Sequence, residues 1–321
     1  VVPKTVKTIG DYAFAYSKDL QNVSFEEDSL LTKIGKYAFT DTPALNAVNF
    51  DNAKNLTSLG EYTFSGSGIK SVVLPETITQ IGQYAFSQCK SLTSATIKGA
   101  VKLGVDVFLN CSALETAVFE KPLETIESDT FNGCVSLKEF VFPQGLKTIG
   151  QRAFYKSGLT ELTLPKSVES IQDIAFQDCE NLTTVTIPED SMLHSINSNG
   201  FTNCGLTSIK LPASLTFIGK SAFSNCKKLE KIEFAEPTEI LRISADAFYG
   251  CTAATVYIPK KVTLSEAGVF NGWTTAQTIY VIGRKETDII EDWYGTFTDD
   301  ASFKGWSNGC SAKIVWNYTM P

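Results

Sequence analysis

Residues 159–179 read LTELTLPKSVESIQDIAFQDC, and the placement of their apolar residues decides the fold. Leu159, Leu162 and Leu164 stand at offsets of three and two and are followed by Pro165. Val168, Ile171 and the Ala175-Phe176 pair come next, and Cys179 closes the unit. In Leu162-Thr163-Leu164 apolar and polar residues alternate, the period of a strand buried on one face. Proline has no N–H to give a ladder, so Pro165 marks where pairing stops and the chain turns. The rest of the unit is too short to hold a helix by itself and reads as a tight turn or short strand, with Phe176 plugging the interior.

The same slots recur along the chain, as in Leu182, Val185, Ile187, Pro188 and in Leu206, Ile209, Leu211, Pro212. The clearest marker is a phenylalanine, present at Phe14, Phe39, Phe64, Phe86, Phe108, Phe131, Phe154, Phe176, Phe201, Phe223, Phe248 and Phe270. The steps between them are 22 to 25 residues. A period in the low twenties is the mark of a solenoid, in which each coil buries its apolar face only by stacking on its neighbours. Each coil is expected to add one strand to a parallel sheet.

The repeat resembles that of the BspA-like bacterial surface proteins, a subclass of leucine-rich repeat with the consensus LxxIxLPxxLxxIGxxAFxxC. The match covers roughly residues 1 to 272. It implies a leucine-rich repeat solenoid with a parallel β-sheet on the concave face and short turns or strands on the convex face. It also implies export to a bacterial cell surface and adhesion to host proteins, host cells, glycans or other microbes.

Residues 273 to 321 depart from the repeat and hold all four tryptophans, Trp273, Trp293, Trp306 and Trp316. A last coil leaves its apolar core open to water, and bulky aromatic side chains in a distinct end piece close it. The expected organisation is therefore an array of about twelve coils over residues 1–272 and an aromatic C-terminal cap over 273–321. The chain also opens inside a repeat, with Val1-Val2-Pro3 reading as the tail of a strand, so a piece of a longer protein is expected.

Composition narrows the partners. The 321 residues carry 28 Lys and Arg against 35 Asp and Glu, a net charge of −7, with no basic cluster. That balance argues against nucleic acid or an anionic membrane surface. No apolar run approaches the roughly 20 residues that cross a bilayer.

Seven of the eight cysteines, Cys89, Cys111, Cys134, Cys179, Cys204, Cys226 and Cys251, follow the marker phenylalanine by three residues, where Ser17, Thr42, Ser67 and Ser157 stand in other coils. A slot that takes a thiol or a hydroxyl is small, buried and weakly polar. Stacked coils give neighbouring cysteines parallel Cα–Cβ directions, which suits neither a disulfide nor tetrahedral zinc. Neither a cofactor nor a metal is expected. Gly10, Gly35, Gly60, Gly82, Gly104, Gly150 and Gly219 share another slot and suggest a left-handed backbone there.

No catalytic constellation stands out. The single histidine, His194, occupies a variable slot beside Ser195, and neither phosphate-loop nor dinucleotide glycine spacing is present. A non-catalytic, monomeric interaction module is therefore expected, with a protein or glycan ligand. The alternative is a solenoid carbohydrate-active enzyme of the parallel β-helix type, whose coils are of similar length and which needs carboxylates clustered on adjacent coils.

Contact residues are sought in the column that points outward from the strands: Ser24, Asn49, Val73, Thr96, Val118, Val141, Thr163, Thr186, Lys210, Glu233, Tyr257 and Tyr280. Its end changes character, from small residues to the opposite charges of Lys210 and Glu233 and then to two tyrosines. Tyr257, Tyr280, Lys210 and Glu233 are the candidate binding residues, because amphipathic aromatic side chains anchor protein and sugar partners. A second ladder, Tyr12, Tyr37, Tyr62 and Tyr84, stands two residues before the marker and is expected to shield the core or form a convex contact strip.

Overall fold

The structure, a computed structural model, describes residues 1–252, 255–264, 266, 268–284 and 310–319. Trp293 and Trp306 of the expected cap lie outside the described residues. The chain forms two compact units, Val1–Leu159 and Thr160–Pro321. Each is a solenoid of parallel strands, and no helix occurs among the described residues.

Most coils contribute two strands. In the first unit the outward column rides on Asn22–Ser24, Ala47–Asn49, Ser71–Leu74, Ser94–Ile97 and Thr116–Phe119. Shorter strands such as Lys33–Ile34, Ser58–Leu59 and Gln80–Ile81 form a second parallel ladder there. In the second unit the column rides on Glu161–Thr163, Thr184–Thr186, Ser208–Leu211, Lys231–Phe234, Thr255–Ile258 and Thr278–Ile282. Equivalent residues lie side by side, so Val73 pairs with Thr96 and Thr96 with Val118. Alternation of exposed and buried residues along Ser71–Leu74 and Ser208–Leu211 follows the two-residue period of a strand.

The marker phenylalanines are the interior. In the first unit Phe39, Phe64, Phe86, Phe108 and Phe131 stack with centroids 5.1–5.5 Å apart. In the second, Phe176, Phe201, Phe223, Phe248 and Phe270 do so at 5.0–5.7 Å. Phe14 is the exception: it stacks on Phe39 alone and stays 38% exposed.

The glycine slot corrects the sequence reading. None of Gly10, Gly35, Gly60, Gly82, Gly104, Gly150 and Gly219 has a left-handed backbone. Close approach selects glycine there, since a Cβ on Gly60 would stand 2.6 Å from the carbonyl carbon of Gly35. The left-handed positions fall instead two residues before and two after each marker. Tyr84 and Gln88 (φ 57° and 59°) flank Phe86, and Asn199 and Asn203 (57° and 58°) flank Phe201. Asn, Asp and Gly recur at these positions because they tolerate that conformation best.

The cysteine slot is buried, and no disulfide joins cysteines among the described residues. The thiols of Cys89, Cys111, Cys134, Cys204, Cys226 and Cys251 each donate to the carbonyl of the marker phenylalanine one coil back, at 3.0–3.2 Å. They are the cross-rungs that join one coil's turn to the next. Trp273 occupies the same slot after Phe270 and makes the same bond through its indole N–H, to the Phe248 carbonyl at 3.0 Å.

A shortened turn sets where sheets begin. Between the cysteine slot and the next apolar residue most coils have two residues, as in Cys89-Lys90-Ser91-Leu92, but Ser67-Gly68-Ile69 and Cys204-Gly205-Leu206 have one. A Cβ on Gly68 would collide with the Pro43 carbonyl, and one on Gly205 with that of Glu180, so the tight turn requires glycine. The strands that follow, Ser71–Leu74 and Ser208–Leu211, each open a new sheet. A third such turn, Ser157-Gly158-Leu159, ends the first unit.

Candidate functional site

The sheet that opens at Ser208–Leu211 runs through Lys231–Phe234, Thr255–Ile258 and Thr278–Ile282 to Lys313–Tyr318, and it carries all four candidate residues. Lys210 lies directly beside Glu233, and Tyr257 beside Tyr280. Glu233 and Tyr257 follow the paired Ile232 and Val256, so the four form one continuous outward row.

Lys210 and Glu233 do not pair with each other. Lys210 Nζ instead meets Glu189 Oε1 at 2.7 Å, and Glu233 Oε1 meets Lys231 Nζ at 2.7 Å. The hydrogen bond to Glu189 raises the Lys210 amine above its ordinary range, and the same bond lowers the Glu189 carboxyl. All four groups are well exposed, so the pairs add little to stability. Their effect is local: they hold opposite charges in fixed alternation beside the tyrosines.

The tyrosines form a three-membered cluster. Tyr257 and Tyr280 stack with centroids 4.9 Å apart and planes 14° from parallel. Tyr318 leans across both, 4.6 Å from Tyr280 and 5.5 Å from Tyr257, at tilts of 55° and 44°. A register shift between Tyr280 and Ile282 brings Tyr318 there, opposite Ile282. Such an irregularity re-aims a side chain that a regular ladder would place elsewhere. Partial burial, then the neighbouring Tyr318 and Tyr280, raise the Tyr257 phenol above its ordinary range. All three rings remain half-exposed, each an apolar body with a polar tip.

Tyr318 is the member that sequence reasoning missed. Its signal was the β-branched and aromatic run of Lys313–Tyr318, KIVWNY, which reads as a further strand once the segment is not treated only as a cap. Trp273 is buried and meets Phe270 edge-on at 4.9 Å, while Lys313–Tyr318 extends the sheet by pairing with Thr278–Ile282.

In the first unit Tyr12, Tyr37, Tyr62 and Tyr84 stack at 4.9, 4.7 and 4.5 Å, nearly parallel. Tyr12 is 57% exposed and the other three are half-buried. Each spends its ring faces on its neighbours, and Asp106, which occupies the same slot one coil on, raises the Tyr84 phenol.

His194 is exposed, and the Ser195 hydroxyl donates to Ser170 at 3.0 Å rather than meeting a base. Among the described residues no group of three His, Cys, Asp or Glu is placed to hold a metal ion, and no helix is long and apolar enough to cross a membrane.

The sequence pattern of the BspA type leucine rich repeat region matches residues 1–115, 101–230 and 194–292. Among solved structures, the chain is similar to a leucine-rich repeat protein from Bacteroides ovatus, at 26% identity and a TM-score of 0.53 over 81% of this chain and 79% of that one. It is also similar to a leucine-rich repeat protein from Eubacterium ventriosum, at 22% identity and a TM-score of 0.53 over 82% and 79%. The pneumococcal vaccine antigen PcpA shares 17% identity and a TM-score of 0.54 over 98% and 85%. No curated protein matches significantly.

Proposed function

The chain belongs to the BspA-type leucine-rich repeat family, and from that premise we propose that it is a non-catalytic adhesion module of a bacterial cell surface, which grips a protein partner through the tyrosine cluster of its second unit. The observation that carries the site is the convergence of Tyr257, Tyr280 and Tyr318 on one outward sheet face. Large, rigid side chains of this kind lose little entropy on binding and serve as anchors. Tyr257 and Tyr280 stack face to face, leaving edges to a partner; this favours the mixed polar and apolar surface of a protein over a sugar ring, which stacks on an open face. The ordered charges of Glu189, Lys210, Lys231 and Glu233 extend the surface and set orientation more than affinity.

The test is a screen of the purified chain against immobilised host matrix proteins, bacterial surface proteins and glycan arrays, in parallel with a Tyr257→Ala, Tyr280→Ala, Tyr318→Ala variant whose folding is checked by circular dichroism. A protein partner that the wild type captures and the folded variant releases supports the proposal. Capture confined to glycans, or turnover of a polysaccharide, would overturn it in favour of a sugar-binding or enzymatic solenoid.

A further inference from the structure

The outward column of the first unit contains a fault. Thr116–Phe119 is the last strand of its sheet, although the next coil supplies the equivalent segment Lys138-Glu139-Phe140-Val141-Phe142. The cause is legible in the side chains. Phe140 takes the inward slot that Ala95 and Ala117 hold in the two coils before it. Together Phe140 and Phe142 crowd Phe154, with centroids at 5.2 and 5.9 Å, and Phe140 also meets Phe131 at 5.0 Å. A phenylalanine cannot enter at the spacing an alanine allows, so the segment stands off and its ladder opens.

The opening is closed at both ends. Before it, the Cys134 thiol still reaches the Phe108 carbonyl at 3.2 Å; after it, the Leu123 N–H donates to the Gln144 carbonyl at 3.2 Å. Between these ends lies a cleft of about 440 Å³, within the size range of ligand sites. Its lips are Val118, 48% exposed, and Val141, 86% exposed.

Polar side chains such as Glu120, Lys121, Glu139 and Gln144 line the cleft together with main chain. Thr116 and Glu120 donate their N–H groups back to Thr93 and Ile97, so Ala117 and Phe119, which alternate with them, direct theirs toward the cleft. Among the described residues, no backbone hydrogen bond joins Ala117 or Phe119 to Phe140, Val141 or Phe142. An open strand edge beside an apolar slot is the arrangement that takes an extended peptide as an added strand.

We infer that this cleft is a peptide-binding site, in which an extended segment of a partner protein pairs its main chain with the Thr116–Phe119 edge and seats an aliphatic side chain between Val118 and Val141. Unpaired N–H groups of a strand edge require a backbone with the same spacing, and the two valines require an apolar side chain on alternate residues. The site is independent of the tyrosine cluster and stands whether or not that cluster binds.

Hydrogen exchange and peptide selection test it on the full chain. In the free chain the Ala117 and Phe119 amides should exchange at least tenfold faster than that of Val118, which faces the intact ladder. A library of random linear heptapeptides displayed on phage should yield sequences that bind the wild type and lose at least tenfold in affinity against Val141→Arg, whose side chain projects into solvent and leaves the fold intact. Val118→Lys gives the same reading from the other lip. Synthetic copies of the selected peptides should lose at least tenfold when alternate backbone nitrogens are methylated. Equal protection of Ala117, Val118 and Phe119, no peptides that distinguish wild type from Val141→Arg, or indifference to N-methylation would each overturn the inference. Self-association that Val141→Arg abolishes would overturn it as well, by giving the cleft to a second copy of the chain.

Discussion

The indole N–H of Trp273 donates to the carbonyl oxygen of Phe248 at 3.0 Å, the bond that the thiols of six ladder cysteines make to the preceding marker. At the last marker the ladder substitutes a large ring for a small thiol. The exchange keeps the rung and sets the indole edge-on against Phe270, with centroids 4.9 Å apart.

That double role separates two substitutions. Trp273→Phe retains most of the apolar cover but leaves the Phe248 carbonyl unpaired, and should cost about 1–3 kcal/mol. Trp273→Ala also opens a cavity over Phe270 and should cost roughly 3–5 kcal/mol. Chemical denaturation of the two variants measures the difference; equal costs would mean that the hydrogen bond contributes nothing.

Close packing rather than backbone conformation governs the glycine slot, and two members of it discriminate. Gly60→Ala pushes a methyl group against the Gly35 carbonyl carbon and should destabilise by about 1–3 kcal/mol. Gly10→Ala meets nothing within 4 Å and has no left-handed backbone, so it should be neutral or stabilising by a few tenths of a kcal/mol. A large loss at Gly10 in thermal melts would contradict this account.

Ile174 holds φ 64° at the position two before Phe176, where other coils place Asn, Asp, Tyr, Gly, Arg or Ser and none places another β-branched residue. A β-branched side chain is poorly suited to that region, at a cost of order 1–3 kcal/mol. Ile174→Asn is therefore expected to raise the denaturation midpoint, by the equivalent of about 1 kcal/mol. An unchanged or lower midpoint would show that packing of the isoleucine outweighs its strain.

Burial pushes the Cys226 thiol up to about 12. The folded chain thus holds this proton more tightly than the unfolded chain, whose thiol titrates near roughly 8.5. The stability it contributes is fully present below that lower value and is lost as pH rises toward the higher one, at about 1.4 kcal/mol per pH unit. Serine fills this slot in other coils, so Cys226→Ser should fold, and wild-type stability should fall relative to it between about pH 9 and 11. A stability difference between the two that stays constant with pH would contradict the assignment. Thiol reagents should also reach few of the eight cysteines before unfolding.

Much of this architecture is legible in the sequence, because a solenoid writes each slot many times. The Leu162-Thr163-Leu164 alternation gives the strands, and Phe176 with its equivalents gives the interior. The cysteine slot is readable because serine and threonine replace it. What escapes are features that occur once or depend on distance. Gly60 and Asn203 are both turn-forming residues, and only the coordinates show that the first is chosen for contact and the second for its φ of 58°. Phe140 looks like an ordinary apolar residue in its slot, yet its size beside Ala117 opens the ladder. Tyr318 lies outside the repeat period and joins the outward row through a single register shift. The outward column follows from the period alone, whereas the partners of Lys210 and Glu233 depend on side-chain reach.

The central claim is that the tyrosine cluster is the gripping surface, and the most direct measurement is the Kd of a captured protein partner for the wild type and for the Tyr257→Ala, Tyr280→Ala pair. The account predicts a loss of at least about 2 kcal/mol, roughly thirtyfold in Kd, with an unchanged melting temperature. Unchanged affinity, together with crosslinks from the partner to the turns around Tyr37 and Tyr62, would contradict it and move the site to the other tyrosine ladder.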